Sequence, residues 1–220
     1  YKLKYQQIVK SKVMLASIIF YLLHVFGLLW TEDIEWGFHI LHKMWYFILF
    51  YPILFSIVQK EYIKSYIYAF LAAIFITEII SFLVWFQFIE YFKNADVIDP
   101  TPFMSHISFN PILAFSIYLV SHTLFIKKEL NKFQVFFYSI FLLMMTLTMF
   151  ITGGRAGQVM YFLAITILIY QYFDTQKIKS ILAIILIVPS IFIIAYHNVD
   201  HFNKRVNLTI DSALNLTTKP

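Results

Sequence analysis

The chain has 220 residues, of which 60% are hydrophobic and only 13% charged, against roughly a quarter charged in an ordinary soluble domain. A water-soluble globule of this length cannot bury so much apolar surface, so the composition excludes one and calls for a bilayer as the apolar solvent. The net charge of +5 sorts by loop, which argues for sidedness across a membrane and against a nucleic-acid partner, and the absence of cysteine excludes disulfides and thiolate metal sites.

Apolar stretches of about 20 residues mark spanning helices, and shorter ones suffice when flanking Lys side chains reach the interface. Seven spans are predicted, near residues 13–30, 41–58, 65–89, 107–126, 133–151, 158–173 and 181–196. The second contains Lys43, and the sixth is only 16 residues long. No small-x-small cleavage site follows the first, so it reads as a span and not as a signal peptide. Trp30, Trp36, Trp45 and Trp85 fall near span ends, where amphipathic rings favour the interface. No internal repeat or flexible linker interrupts the series. The expected fold class is all-α: one polytopic transmembrane domain over residues 1–196, then the start of a large outer loop at 197–220. Tyr1 in place of a starting Met, and a featureless end at Pro220, read as a middle portion of a longer chain.

The connecting segments alternate in charge. The N-terminal arm and segments 59–64, 127–132 and 174–180 hold 11 basic residues and 3 acids. Segments 31–40 (with the adjoining Lys43), 90–106, 152–157 and the tail from His197 hold 6 basic residues and 8 acids. Positively charged loops stay in the cytoplasm. The N-terminus is therefore expected inside and the C-terminal tail outside.

Only two of the 17 cationic side chains are Arg, and both Arg155 and Arg205 fall on the outer side. Arg presents a planar fork that can hold a phosphate at two points, whereas Lys is a flexible point charge. Arg155 lies in Thr152-Gly153-Gly154-Arg155-Ala156-Gly157, which holds three of the chain's five glycines between two apolar segments. Irregular backbone at membrane depth is tolerated only where it is buried in protein or lines a wet cavity. Glycines there free backbone N–H groups and admit a ligand, and the following helix N-terminus favours an anion. The plainer reading is a tight turn with one snorkelling Arg.

Glu78 falls mid-span, where an acid costs a few kcal/mol and is a functional candidate by default. The alternative is a protonated carboxyl hydrogen-bonded between helices. No second acid or Lys sits mid-span to form a relay with it, which counts against a proton-coupled transporter. In segment 90–106, Asp99-Pro100-Thr101-Pro102 stiffens the chain. His106 then lies where the next helix begins, with Asn110 and Pro111 one turn further, placed either to contact a substrate or to cap. His39 and His42 have helical spacing but no third ligand in register, so no metal site is expected. In the tail, Val199, Phe202, Val206, Ile210 and Ala213 share one helical face, with Asn198 or Asp200 as the cap. Such an amphipathic helix in the outer interface would hold Arg205 near the surface and near Arg155.

Taken in order, these features resemble the O-antigen ligase and polymerase family of bacterial envelope glycosyltransferases. Leu28-Leu29-Trp30-Thr31-Glu32-Asp33 and Leu41-His42-Lys43 resemble its early outer loop. Phe103-Met104-Ser105-His106 resembles the stretch before a middle helix. Segment 152–157 is similar to its Thr-Gly-Ser-Arg-Gly signature, and Phe202-Asn203-Lys204-Arg205-Val206 to the start of its large outer loop. Gly154 departs from the usual Ser, and Ala156 separates the Arg from its glycine. The family's catalytic histidine would fall beyond residue 220, and its earliest spans before residue 1.

The resemblance implies a metal-independent, cofactor-free enzyme of the bacterial inner membrane with a periplasmic active face. It would move a glycan from an undecaprenyl-diphosphate carrier to an acceptor hydroxyl, such as a sugar of the lipid A core. Arg155, Arg205, Gly153 and Gly154 would hold the diphosphate, with His106 and Glu78 as further site candidates. A polymerase or a protein O-oligosaccharyltransferase would use the same donor site. A transporter or flippase predicts more polar mid-span residues or paired broken helices, and a seven-helix receptor an outer N-terminus.

Overall fold

The computed structural model describes residues 11–90, 95, 99–126 and 130–217, the side chains of 201 and 213–217 excepted. Every regular element among these residues is helical. Six helices are long and apolar enough to cross a membrane, and a bent pair makes up to seven. The contacts cluster in two compact units, Tyr1–Tyr68 and Ala69–Pro220.

The first unit contains α1 (Lys12–Gly27), α2 (Ile34–Lys43) and α3 (Phe50–Ile57), with short 3₁₀ turns at Leu28–Trp30, Trp45–Phe47 and Lys60–Tyr62. The second predicted span, 41–58, needs correcting. Asp33 accepts a hydrogen bond from Trp36 N at 2.9 Å and so caps a helix that begins at Ile34, inside the segment expected to be loop. That helix stops at Lys43, which lies in its last turn. The chain then turns through Met44 before α3, and the two halves meet at 44°. Phe20 and Phe47 pack ring to ring across this unit at 5.2 Å.

Helix α4 (Ile63–Trp85) runs from the first unit into the second, which adds α5 (His106–Phe125), α6 (Lys132–Ile151), α7 (Arg155–Phe173), α8 (Lys177–Asn198) and α9 (Asp200–Thr217). The third predicted span overshoots, because α4 ends at Trp85 and not at residue 89. Gln87 takes the left-handed conformation, φ 60°. Phe88 N bonds Leu83 O and Gln87 N bonds Val84 O, each at 2.9 Å. This pair of bonds closes a helix end in the Schellman manner, with Gln where glycine is usual. Between α5 and α6, Asn131 and Gln134 exchange side-chain-to-backbone bonds and start α6 with a capping box.

The core of this unit lies along α5 and α6. Phe109, Leu113, Ile117 and Val120 line one face of α5, and Phe141, Met145 and Met149 one face of α6; all are buried. The outward surface stays apolar: Leu143 is 60% exposed, Leu163 57% and Leu186 70%. Apolar area of that extent, left to water, would cost about 25 cal/mol per Å², and a bilayer covers it.

Candidate functional site

The sixth predicted span started at residue 158, but α7 begins at Arg155, so the break between α6 and α7 is only Thr152-Gly153-Gly154. Thr152 closes α6: its backbone N and its hydroxyl both bond to Thr148 O, at 3.0 and 2.7 Å. Gln158 N then bonds Gly154 O at 3.1 Å and opens α7. Arg155 is therefore the first helical residue and points outward, exposed.

Three of the marked segments meet at this end of the bundle. Asn110, one turn into α5, lies against Gly154 and Gly157, and its amide contacts the Thr152 hydroxyl at 2.9 Å. The starts of α5 and α7 thus lie side by side, with the positive ends of both helix dipoles at one level. Phe202, only 3% exposed, sets its ring edge-on against Phe150 at 5.4 Å and against Phe192 at 5.3 Å. Those rings pin the start of α9, and so Arg205, to the end of α6 just before the break. Asn203 Nδ2 donates to Tyr196 O and Tyr196 OH to Asn207 Oδ1, which close the corner between α8 and α9. Arg205 is half-buried. Among the described residues neither arginine forms an ion pair.

The glycine reading is corrected. The space beside Gly154 and Gly157 is filled by Asn110, so a Cβ at either would collide with it. These glycines serve close helix approach, not admission of a ligand. Gly153 is buried in the same break. Neither proposed helix cap for the tail serves as read. Asn198 turns its Nδ2 back to Ile194 O at 2.8 Å, ending α8, and Asp200 is already within α9. On the apolar face of α9, Phe202 is buried and Val206 half-buried. Ile210 is 51% exposed, and the Ala213 side chain lies outside the described residues.

Glu78 is wholly buried, and Thr148 Oγ1 donates to its Oε2 at 2.7 Å. Its Oε1, and Ser81 Oγ one turn on, have no partner among the described residues. Thr148 links this carboxyl to the break, since its carbonyl receives Thr152. The Thr152 hydroxyl has one proton and two apparent acceptors, Thr148 O and Asn110 Oδ1. Turning the Asn110 amide so that its Nδ2 faces Thr152 lets both bonds form and satisfies the otherwise orphaned amide nitrogen. A buried polar chain thus runs from Glu78 through Thr148 and Thr152 to Asn110.

His106 opens α5, and its Nδ1 lies 2.5 Å from Asp99 Oδ2. Thr101 Oγ1 donates to Asp99 Oδ1 at 2.6 Å. Burial pushes the Asp99 carboxyl up, but the bonds from His106 and Thr101 and the nearby imidazole outweigh it and hold the group below its ordinary value. The two side chains are 27% and 25% exposed. Sequence reasoning marked His106 but missed Asp99 as its partner. The signal available was the rigid Asp99-Pro100-Thr101-Pro102 run, which folds back on the helix start seven residues along. Asn110 and Thr148 were also missed as the polar links.

No family model, curated protein or solved structure matches the chain.

Proposed function

We propose that this chain is the membrane core of an O-antigen ligase-like glycosyltransferase. In this reading it moves a glycan from an undecaprenyl-diphosphate carrier to an acceptor hydroxyl on the periplasmic face of a bacterial inner membrane. The observation that carries the reading is the convergence of three segments at one end of the second unit. They are the start of α5 with His106, the Gly-rich break with Arg155, and the start of α9 with Arg205. These are the segments whose order resembles the ligase and polymerase family.

The chemistry needs little beyond that end. The lipid diphosphate is its own leaving group, so the protein has to stabilise charge on it and orient the acceptor. Two arginines without acidic partners among the described residues and two parallel helix N-termini supply positive potential there. An apolar groove of about 330 Å³ runs between α5 and α7, lined by Phe115, Tyr118, Met160, Leu163 and Ile167. It suits the isoprenoid part of a carrier whose head lies at the arginine end. The Lys-rich segments, read as cytoplasmic, put that end outside. A polymerase or protein O-oligosaccharyltransferase would share this donor site.

The test is Arg155→Lys in the full chain, assayed for glycan transfer in cells and for membrane insertion. Transfer is expected to fall at least about 100-fold, roughly 2.7 kcal/mol of lost transition-state stabilisation, with insertion unchanged. Near-normal transfer would sink the diphosphate-clamp reading.

A further inference from the structure

We infer that one water molecule is bound between α4 and α6, where it bridges Glu78 Oε1 to Ser81 Oγ. Both side chains are closed off from the surface, Glu78 being 0% and Ser81 1% exposed. Each keeps a polar oxygen that meets no hydrogen-bond partner among the described residues. Buried polar atoms in native proteins are nearly always bonded, to protein or to ordered water.

Rearranging the protein's own atoms does not repair this pair. Turning the Asn110 amide satisfies that residue's orphaned nitrogen, but turning the Glu78 carboxyl only exchanges the oxygen that Thr148 reaches. Ser81 lies one turn from Glu78 on the same face of α4, yet no bond joins the two. Nor does Ser81 use its hydroxyl on its own helix. Thr77, Ser116, Thr123, Thr146 and Thr166 all do so, each bonding the carbonyl four residues back.

A cavity lies at the same place. It is lined by Ser81, Phe82, Trp85, Pro100, Thr148 and Ile151, with about 10 Å³ of room for a water-sized sphere. Room of that order holds one water when two to four polar partners surround it. Ser81 and Thr148 bring hydroxyls to the wall, and Thr148 is the residue bonded to Glu78. A water both donates and accepts, so it completes the carboxyl whether or not the carboxyl carries a proton. Because Pro100 forms part of the wall, the water sits where α4, α6 and segment 99–102 meet.

The wall argues against a cation. The hard cations that proteins hold gather about six oxygen ligands or more. Glu78 Oε1, Ser81 Oγ and Thr148 Oγ1 fall short of that. The side chains of Phe82, Trp85, Pro100 and Ile151 add no acceptor oxygen.

The experiment is a cryo-electron-microscopy map of the full chain in lipid nanodiscs, at a resolution that shows ordered water, with thermal unfolding of variants beside it. The map should show one isolated peak about 2.7–3.2 Å from both Glu78 Oε1 and Ser81 Oγ. A dry cavity overturns the inference, and so does a direct bond between the two side chains. A peak ringed by about six oxygens, or a melting temperature raised by Na⁺ and not by choline, would make the occupant a cation and overturn it as well. In unfolding, Ser81→Ala should lower the melting temperature of the parent but not that of Glu78→Leu, where the bridge has already lost its other end. Equal falls in both backgrounds would show that the two residues act separately, against a bridge. If Glu78→Leu does not fold, the map alone decides.

Discussion

A Cβ on Gly157 would lie 2.7 Å from the Asn110 carbonyl carbon and 2.9 Å from its Cα, so α5 and α7 meet backbone to backbone at this point. The obstacle is main chain, which cannot rotate aside as a side-chain tip can. Gly157→Ala must therefore push the two helices apart or shift α5. Overpacking of this kind costs about 1–3 kcal/mol, and a drop of that size is expected in the thermal or denaturant stability of the detergent-solubilised protein. Ala156→Ser, on the neighbouring exposed position, is the control and should leave stability within ~0.5 kcal/mol.

The bond from Thr148 to Glu78, 2.7 Å between two helices of the second unit, predicts an asymmetry between two substitutions. Glu78→Gln keeps an amide oxygen where the hydroxyl donates, so membrane insertion, fold and transfer should survive. Thr148→Val removes the donor and leaves a buried carboxyl without that hydrogen bond, at a cost of about 1–3 kcal/mol. Combining Thr148→Val with Glu78→Leu should recover part of that loss, because no polar group is then stranded. A dead but well-inserted Glu78→Gln variant would move this carboxyl from scaffold to chemistry.

The seven apolar stretches were legible because a spanning helix has to be apolar along most of its length, and five of their positions match α1 and α5 to α8 to within a few residues. Helix ends were harder where the stopping signal is geometric. Gln87 ends α4 with a positive φ, but a Gln in an apolar run gives no such warning, whereas Gly or Asn would. Asp33 begins α2 as an N-cap, a signal that stood in plain view and was outweighed by the local run of charges read as loop. The polar chain from Glu78 to Asn110 joins residues 42 and 70 positions apart. No local pattern encodes such pairings. The glycines were recognised as a break, yet only the fold shows that Asn110 occupies the room they leave.

Asp99 predicts a pH dependence with a definite sign. Its carboxyl is held below the ordinary Asp value of 3.8. A group depressed in the folded state stabilises it above the unfolded value, and the contribution fades as pH falls through the folded value. Asp99→Asn should therefore be less stable than the parent at neutral pH. The difference should shrink as pH drops below about 4. Parallel melting curves from pH 7 to pH 3 measure it, and a gap that widened in acid would contradict the bonds drawn from His106 and Thr101.

The orientation of the bundle rests on charge, and the cysteine-free chain makes it simple to test. Break 152–154 and the start of α9 lie at the same end, joined through Phe150 and Phe202. The Asp174-Thr175-Gln176 turn between α7 and α8 lies a full helix away. If Lys-rich segments are cytoplasmic, a cysteine at position 200 should react with an impermeant maleimide added outside intact spheroplasts. One at position 175 should react only after lysis. Position 200 is exposed and two residues from Phe202, so the label reports the arginine end without disturbing the ring contacts. The reverse pattern would put both arginines in the cytoplasm, where no periplasmic glycan donor reaches them. The proposed reaction would then have no substrate on its side of the membrane.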